Sequence, residues 1–259
     1  MKIIAIIQAR MNSSRLPGKV MMKILKRPII EHMILRVKNA KLLDEVWLAT
    51  SNNQIDNCLE NISIKNNIFC FRGSETDVMS RFEEIVKKTN PDLIVRLTGD
   101  CPLIDPDLID LTIEFALENI EKYHYVGNSL MPTFPDGLDI EVFTTKALLN
   151  ASKNSSVIDR EHVTPQIHQF HTKNKLNLNI GHFKGVTDFS HLRLTLDEKE
   201  DFKLIKIIFE RLYFQNEGFS WFDIISLLTK EPYLISINSK YSRNEAYFNQ
   251  LHKLKDKIQ

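Results

Sequence analysis

Glycine is scarce in this chain, eight residues among 259, and the scarcity removes two common ways of cradling a phosphate. The dinucleotide fingerprint G-x-G-x-x-G is absent. The Walker A pattern fails too, because Gly18-Lys19 is followed by Val20 and Ser13 stands where the first glycine belongs. Cysteine is scarcer still. Cys58, Cys70 and Cys101 have neither disulfide-framework nor metal-site spacing, so they read as reduced thiols of a cytoplasmic protein. No HExxH or Cys/His pattern groups His162, His168, His171, His182 and His191, which are expected at the surface or in capping positions rather than on zinc. A G-x-S-x-G elbow is also missing, and no covalent intermediate is expected. Neither sign of charge dominates: 34 basic and 33 acidic residues leave a net +1. That balance excludes a broad nucleic-acid-binding surface and confines any phosphate recognition to a local site. No apolar run has the length to cross a bilayer, and Met1-Lys2 leads into an apolar stretch shorter than the core of a signal peptide.

That stretch, Ile3 to Ile7, is the first thing present. Its length and β-branched content fit a strand buried on both faces. The chain then turns polar at once, with Gln8, Arg10, Asn12, Ser13, Ser14 and Arg15, and Lys19 after Leu16-Pro17-Gly18. In open α/β sheets the ligand lies at the C-terminal edge of such strands. Guanidinium forks and backbone N–H groups placed there neutralise phosphate oxygens. The loop therefore reads as a phosphate site, against the plainer alternative of a basic surface turn.

The rest of the chain alternates. Helices are expected over Pro28 to Ala40, about Ile55 to Lys65, Glu75 to Thr89 and Pro106 to Asn119. Between them lie strands at Glu45 to Thr50, Ile68 to Phe71, Asp92 to Leu97 and Tyr123 to Asn128. After a proline-rich turn at Leu130 to Gly137 come a strand over Leu138 to Phe143 and helices over Thr145 to Ala151 and Arg160 to His171. Strands at Asn177 to His182 and Leu192 to Leu196 follow, then an amphipathic helix from Asp201 to Phe214. This rhythm predicts an α/β fold with a doubly wound, mainly parallel sheet whose order begins 3-2-1-4. The first and fourth strands are then neighbours at the switch point, so Thr98-Gly99-Asp100 falls beside the basic loop. The reading divides the chain into residues 1–216, with an acceptor and dimerisation insertion at about 130–190, and a helical appendage over 217–259. In the appendage, Phe219 to Leu228 and Tyr241 to Gln259 are expected as helices and Pro232 to Ile237 as extended chain.

Asp100, just past a strand and next to a glycine, is a natural Mg²⁺ ligand; Asp105 before Pro106 already fills the helix-capping role. Asp139 and Glu141 share a face if their segment is a strand. Two such carboxylates need a cation, a hydroxyl-rich ligand or solvent to accommodate them. Arg72, Ser74, Asp77 and Arg81 lie at the same sheet edge, where they either reach a base and ribose or cap the following helix. Asp197 by itself is a carboxylate near a helix start.

The loop Gln8 to Lys19, QARMNSSRLPGK, resembles the signature loop of cytidylyltransferases that activate acidic sugars. It is most similar to the SpsF branch, related to CMP-KDO and CMP-sialic acid synthetases. The likeness extends to about Asp201 through L-T-G-D-C-P, D-G-L-D-I-E-V-F, Arg160-Glu161-His162 and Asp197 to Asp201. It implies a nucleotide-diphospho-sugar transferase fold and an Mg²⁺-dependent cytoplasmic homodimer using CTP. The resemblance implies catalytic Arg10, Arg15, Lys19 and Asp100, with Gln8, Ala9, Ser14, Thr98 and Gly99 also on the nucleotide. Arg72 and Asp77 are implied near the cytosine. Asp139, Glu141, Arg160 and His162 are implied on an anionic acceptor, and Asp197 as a second metal ligand beside Asp100. Thr195 departs from the sialic acid branch, which carries a further aspartate there. Two rivals stay open. One is a glycosyltransferase using Asp105-Pro106-Asp107 as a D-x-D motif; the other is a non-catalytic nucleotide-binding protein.

Overall fold

In the computed structural model, residues 1–168 and 179–243 are described. The first strand, β1 (Ile3–Gln8), sends Ile3, Ala5 and Ile7 into one core and Ile4 and Ile6 into another. A strand that is apolar at successive positions has no face to offer solvent, and helices cover both sides. After a short hairpin of β2 (Lys23–Ile24) and β3 (Arg27–Pro28), helix α1 (Ile29–Val37) packs Ile30, Met33, Ile34 and Val37 onto the first core. Strand β4 (Glu45–Ser51), helix α2 (Asn57–Lys65), strand β5 (Phe69–Gly73), helix α3 (Val78–Thr89) and strand β6 (Leu93–Thr98) follow. All these large-sheet strands run parallel.

Helix α4 (Pro106–Glu118) leads to β7 (Tyr125–Gly127) and then β8 (Glu141–Thr144), which pairs antiparallel with both β6 and β7. Helices α5 (Thr145–Ser152) and α7 (Pro165–His168) pack onto the second core, α6 (Val157–His162) lies between them in the chain and buries no residue, and β9 (Ile180–His182) lies parallel to β7. The sheet order is β5-β4-β1-β6-β8-β7-β9. Its first four strands carry the expected 3-2-1-4 arrangement, and the sheet is mainly parallel. Helix α8 (Lys199–Leu212) and helix α9 (Trp221–Lys230) build a third core with Leu192, Leu194 and Leu196. The C-terminal segment is tied into the fold by polar bonds as well. The Trp221 backbone N–H donates to Asp105 Oδ2 at 2.8 Å, and buried Arg36 donates to the Phe219 carbonyl at 2.8 Å.

Several sequence expectations need correction. The helix expected from Glu75 begins at Val78, because Asp77 is its N-cap and accepts from Ser80 N at 3.0 Å. The helix expected over Arg160 to His171 is broken after His162. Pro165 disfavours helical backbone at Thr164, and Val163 turns to φ 70°; residues 169–171 lie outside the described chain. The strand expected from Leu138 begins at Glu141. Leu192 to Leu196 alternates as a strand does, but it bonds to loops rather than to the sheet, through a single bridge between Asp136 and Arg193. Gly137, at φ 99°, permits this crossing, since a Cβ there would lie 2.4 Å from Thr195 N. Pro232–Ile237 is a 3₁₀ helix rather than extended chain. Of the helix expected over Tyr241 to Gln259, residues 244–259 lie outside the described chain, and Tyr241 to Arg243 are irregular.

Candidate functional site

A cleft of about 850 Å³ opens at the C-terminal ends of β1 and β6. Gln8 and Thr98 are register partners there, and Gly99 N donates to the Gln8 carbonyl at 2.8 Å. This close approach requires glycine, because a Cβ on Gly99 would sit 2.8 Å from the Ala9 Cβ. The basic loop is closed by Gly18 N donating to the Met11 carbonyl at 2.9 Å and anchored by Met11 N donating to Asp56 at 2.8 Å. Of the sequence candidates, Gln8, Ala9, Arg10, Ser14, Arg15 and Lys19 line the cleft. So do Thr98, Gly99 and Asp100 from the opposite loop, and Asp139, Glu141, His162 and Asp197 further along.

The centre of this wall is Lys19. Its side chain is buried, and Nζ donates to Asp100 Oδ2 and to Asp197 Oδ1, both at 2.8 Å. Burial alone would lower the Lys19 pKa, but the two carboxylates together outweigh it and raise the value. Burial pushes Asp100 up, and the Lys19 ammonium more than offsets this, holding it down at about 2. Arg15 meets Asp197 at 2.7 Å and Glu198 at 3.5 Å, and Arg10 meets Glu161 of α6 at 3.3 Å. Each cation of the loop thus faces a carboxylate from a distant segment.

The donor set suits a hard cation. Asp100 and Asp197 turn one oxygen each to the same ammonium, so they converge on one point in an open cleft. Among the described residues no cluster of three or more His, Cys, Asp or Glu side chains joins them. Two carboxylates, with phosphate and water completing the shell, are what Mg²⁺ takes; zinc would want more protein ligands. Thr195 lines the cleft beside them and donates to the Asp100 carbonyl at 3.4 Å.

Asp136, Asp139 and Glu141 line the same cleft, Asp136 sharing the Arg193 guanidinium with Asp197 and Glu141 sharing Arg96 with Gln8. Glu141 is bonded by Arg96 and accepts from Tyr125 Oη at 2.7 Å. Burial raises the Glu141 pKa and Arg96 reverses that, leaving it lowered. Asp136 and Asp139 are both raised, by burial first; Asp139 adds to the rise in Asp136, and Arg243 opposes it in both. Arg193 is buried and holds Asp136 at 2.9 Å, Asp197 at 3.3 Å and Asp201 at 2.9 Å.

Arg72, Asp77 and Arg160 fall outside the cleft lining, as does Ser74. Arg72 spans Glu60 at 2.8 Å and the carbonyls of Ser51 and Asn53. Asp77 caps α3 and meets Arg160 at 2.8 Å, while Arg160 also reaches Glu83 at 3.1 Å. Arg81, from the same segment as Arg72 and Asp77, is the one that lines the cleft; it clamps the carbonyls of Ser74 and Glu75 at 2.7 and 2.8 Å. The Asp105-Pro106-Asp107 triplet is no metal loop, since buried Asp105 caps α4 through Leu108 N at 3.0 Å and holds Trp221. Arg96, Arg193 and Arg243 were not singled out by sequence. A charge inside the buried run Leu93 to Leu97 signals Arg96. The polar phase of Leu192 to Leu196 signals Arg193.

The cytidylyltransferase family model matches residues 4–220. The spore coat polysaccharide biosynthesis protein SpsF of Bacillus subtilis is 32% identical over 238 residues, covering 89% of this chain and 95% of that protein. A 3-deoxy-manno-octulosonate cytidylyltransferase of Geobacter sulfurreducens is 34% identical over 119 residues, 46% of this chain and 47% of that protein. The solved structure of a cytidylyltransferase from Leptospira borgpetersenii superposes with a TM-score of 0.85 at 36% identity, covering 91% of this chain and 97% of that one.

Proposed function

This chain belongs to the cytidylyltransferase family, and from that premise we propose that it transfers CMP from CTP to a hydroxyl of an acidic sugar, for surface polysaccharide or glycoconjugate synthesis. CTP and the sugar acid give the CMP ester, pyrophosphate and a proton. The observation that carries this reading is the convergence of Asp100 and Asp197 on Lys19 at the switch-point edge. Cations and metal-competent carboxylates meet there in one cleft, the arrangement that a triphosphate requires.

In this reading the triphosphate lies along Arg10, Arg15 and Lys19, whose charges oppose the negative charge that builds on the phosphoryl oxygens. The backbone at Ala9 and Gly99 sets the position of the nucleotide, and the acceptor hydroxyl is held from the Asp139 and Glu141 side, in line with the α-phosphorus. Asp100 and Asp197 would hold Mg²⁺, which when bound neutralises phosphate oxygens. The acidic sugar is supported by the partial match to the octulosonate enzyme, whose own substrate is a sugar acid. The same reading makes the protein a cytoplasmic homodimer, in keeping with its three unpaired cysteines; light scattering tests the assembly.

The experiment is a panel of acidic sugars incubated with CTP and Mg²⁺, read as pyrophosphate. Release that depends on both CTP and one sugar acid is the expected result. CTP binding without release across the panel would remove the acidic-sugar reading.

A further inference from the structure

The chain returns to the cleft at its last described residues. Buried Asn238 donates to the Arg193 carbonyl at 3.0 Å and to Asp201 at 2.8 Å. Lys240 and Tyr241 both hold Glu200, at 2.8 and 2.9 Å. The Ser242 carbonyl accepts from Arg193 at 3.4 Å, and Ser242 itself lines the cleft. Residues 238 to 242 are thus fastened at almost every position to Arg193 or to the first turn of α8. Arg243 then reaches across to the acidic wall. Its guanidinium donates to Asp139 and, at 3.2 Å, to the Phe134 carbonyl. Its Nε is buried, has no hydrogen-bond partner among the described residues, and lies 3.9 Å from Asp136.

The other two arginines of this wall are already committed. Arg96 is bonded to Glu141 and Gln8, and Arg193 to Asp136, Asp197 and Asp201. Asp139, the most exposed of the three wall carboxylates, draws its ion pair from Arg243. Without that guanidinium half-buried Asp139 would face Asp136 uncompensated, and two adjacent carboxylates shielded from solvent repel. A charge-assisted bond fixes a carboxylate in direction as well as in charge.

Resting on the reading above, we propose that Arg243 is a positioning residue for the acceptor. It holds the Asp139 carboxylate on the cleft wall, where the remaining lone pairs accept hydrogen bonds from the hydroxyls of a polyhydroxylated sugar acid. The C-terminal strap, beyond residues 4–220 that the family model matches, thereby helps set acceptor specificity.

The test uses the full chain and the sugar acid that the unaltered protein turns over in the panel. Arg243→Met is expected to raise the acceptor KM about tenfold, with a smaller change in kcat and a CTP affinity within about twofold by calorimetry. Arg243→Lys restores part of the loss, and it reads the same split if the Met variant does not fold. Because Arg243 acts through Asp139, Asp139→Asn combined with Arg243→Met is no worse than Asp139→Asn alone. An unchanged acceptor KM in Arg243→Met, multiplying effects in the double variant, or lost CTP binding in Arg243→Lys overturns the proposal. Wild-type CTP binding without pyrophosphate release from any sugar acid removes instead the reading on which it rests.

Discussion

At the end of the cleft proposed for the nucleotide, the cations come from one stretch, Arg10 to Lys19, and the carboxylates they meet come from distant places, Asp100, Glu161 and Asp197. Around the residues proposed for the acceptor the arrangement is inverted. The carboxylates come from one stretch, Asp136 to Glu141, and the cations are Arg96, Arg193 and Arg243 from three separate segments, Arg193 also joining the two groups through Asp197 at 3.3 Å. The difference concerns what each end does with its charge. Lys19 shares two carboxylates that a divalent ion also suits, so its pairing can be exchanged on binding. Arg193 is buried among three acids and has no such alternative; it is a support. Removing groups from the two ends should therefore give different kinds of loss.

The largest effect is expected at the nucleotide end. Asp100→Ala should cut pyrophosphate release by about a thousandfold while circular dichroism and the melting curve stay near wild type, because a loop carboxylate contributes little packing. Normal release in excess Mg²⁺ would break the assignment. The acceptor end should answer in stability. Arg193→Met leaves Asp201 buried without its cation and Asp136 with Arg243 alone, at 3.9 Å, and is expected to cost about 3–5 kcal/mol in urea unfolding. A loss under about 1 kcal/mol, the size of an exposed pair, would erase the contrast between the two ends.

Lys19→Ala sharpens it further. It should weaken CTP binding by about 10- to 100-fold, the size of one charge-assisted contact. In the absence of nucleotide the same change should strengthen Mn²⁺ binding, because Asp100 and Asp197 are left facing each other. CTP affinity equal to wild type would place the triphosphate elsewhere. The smallest effect is expected outside the cleft. Arg160→Ala breaks pairs to Asp77 and Glu83 at the protein's flank. It should cost no more than about 1 kcal/mol, with CTP binding unchanged in calorimetry.

The same inversion explains what could be read in advance. Arg10, Arg15 and Lys19 are neighbours in sequence and follow a run that is apolar from Ile3 to Ile7, so the cleft they line and its place in the sheet were both legible. Asp100 was legible because the order of four strands follows from right-handed crossovers. The acceptor end was only half visible. Asp139 and Glu141 stood out as a pair, but their arginines are set by tertiary crossings with no local pattern. Leu192 to Leu196 shows the limit clearly: alternation reports two faces in different environments, and an extended loop crossing at Gly137 produces that as well as a strand does. Arg72, Asp77 and Arg160 were placed by likeness of segment. Their hydrogen bonds turn them to capping and bridging instead of into the cleft.

The central claim is that the basic loop and the two aspartates form a single site for a metal-bound triphosphate. Calorimetric titration of CTP, with and without Mg²⁺, into the unaltered protein and into Asp100→Ala tests it most directly. Because Lys19 is already balanced by two carboxylates, CTP should bind the unaltered protein at least about tenfold more tightly with Mg²⁺, and Asp100→Ala should lose that gain. Equal affinity with and without Mg²⁺, or an Mg²⁺ gain that survives in Asp100→Ala, would contradict it.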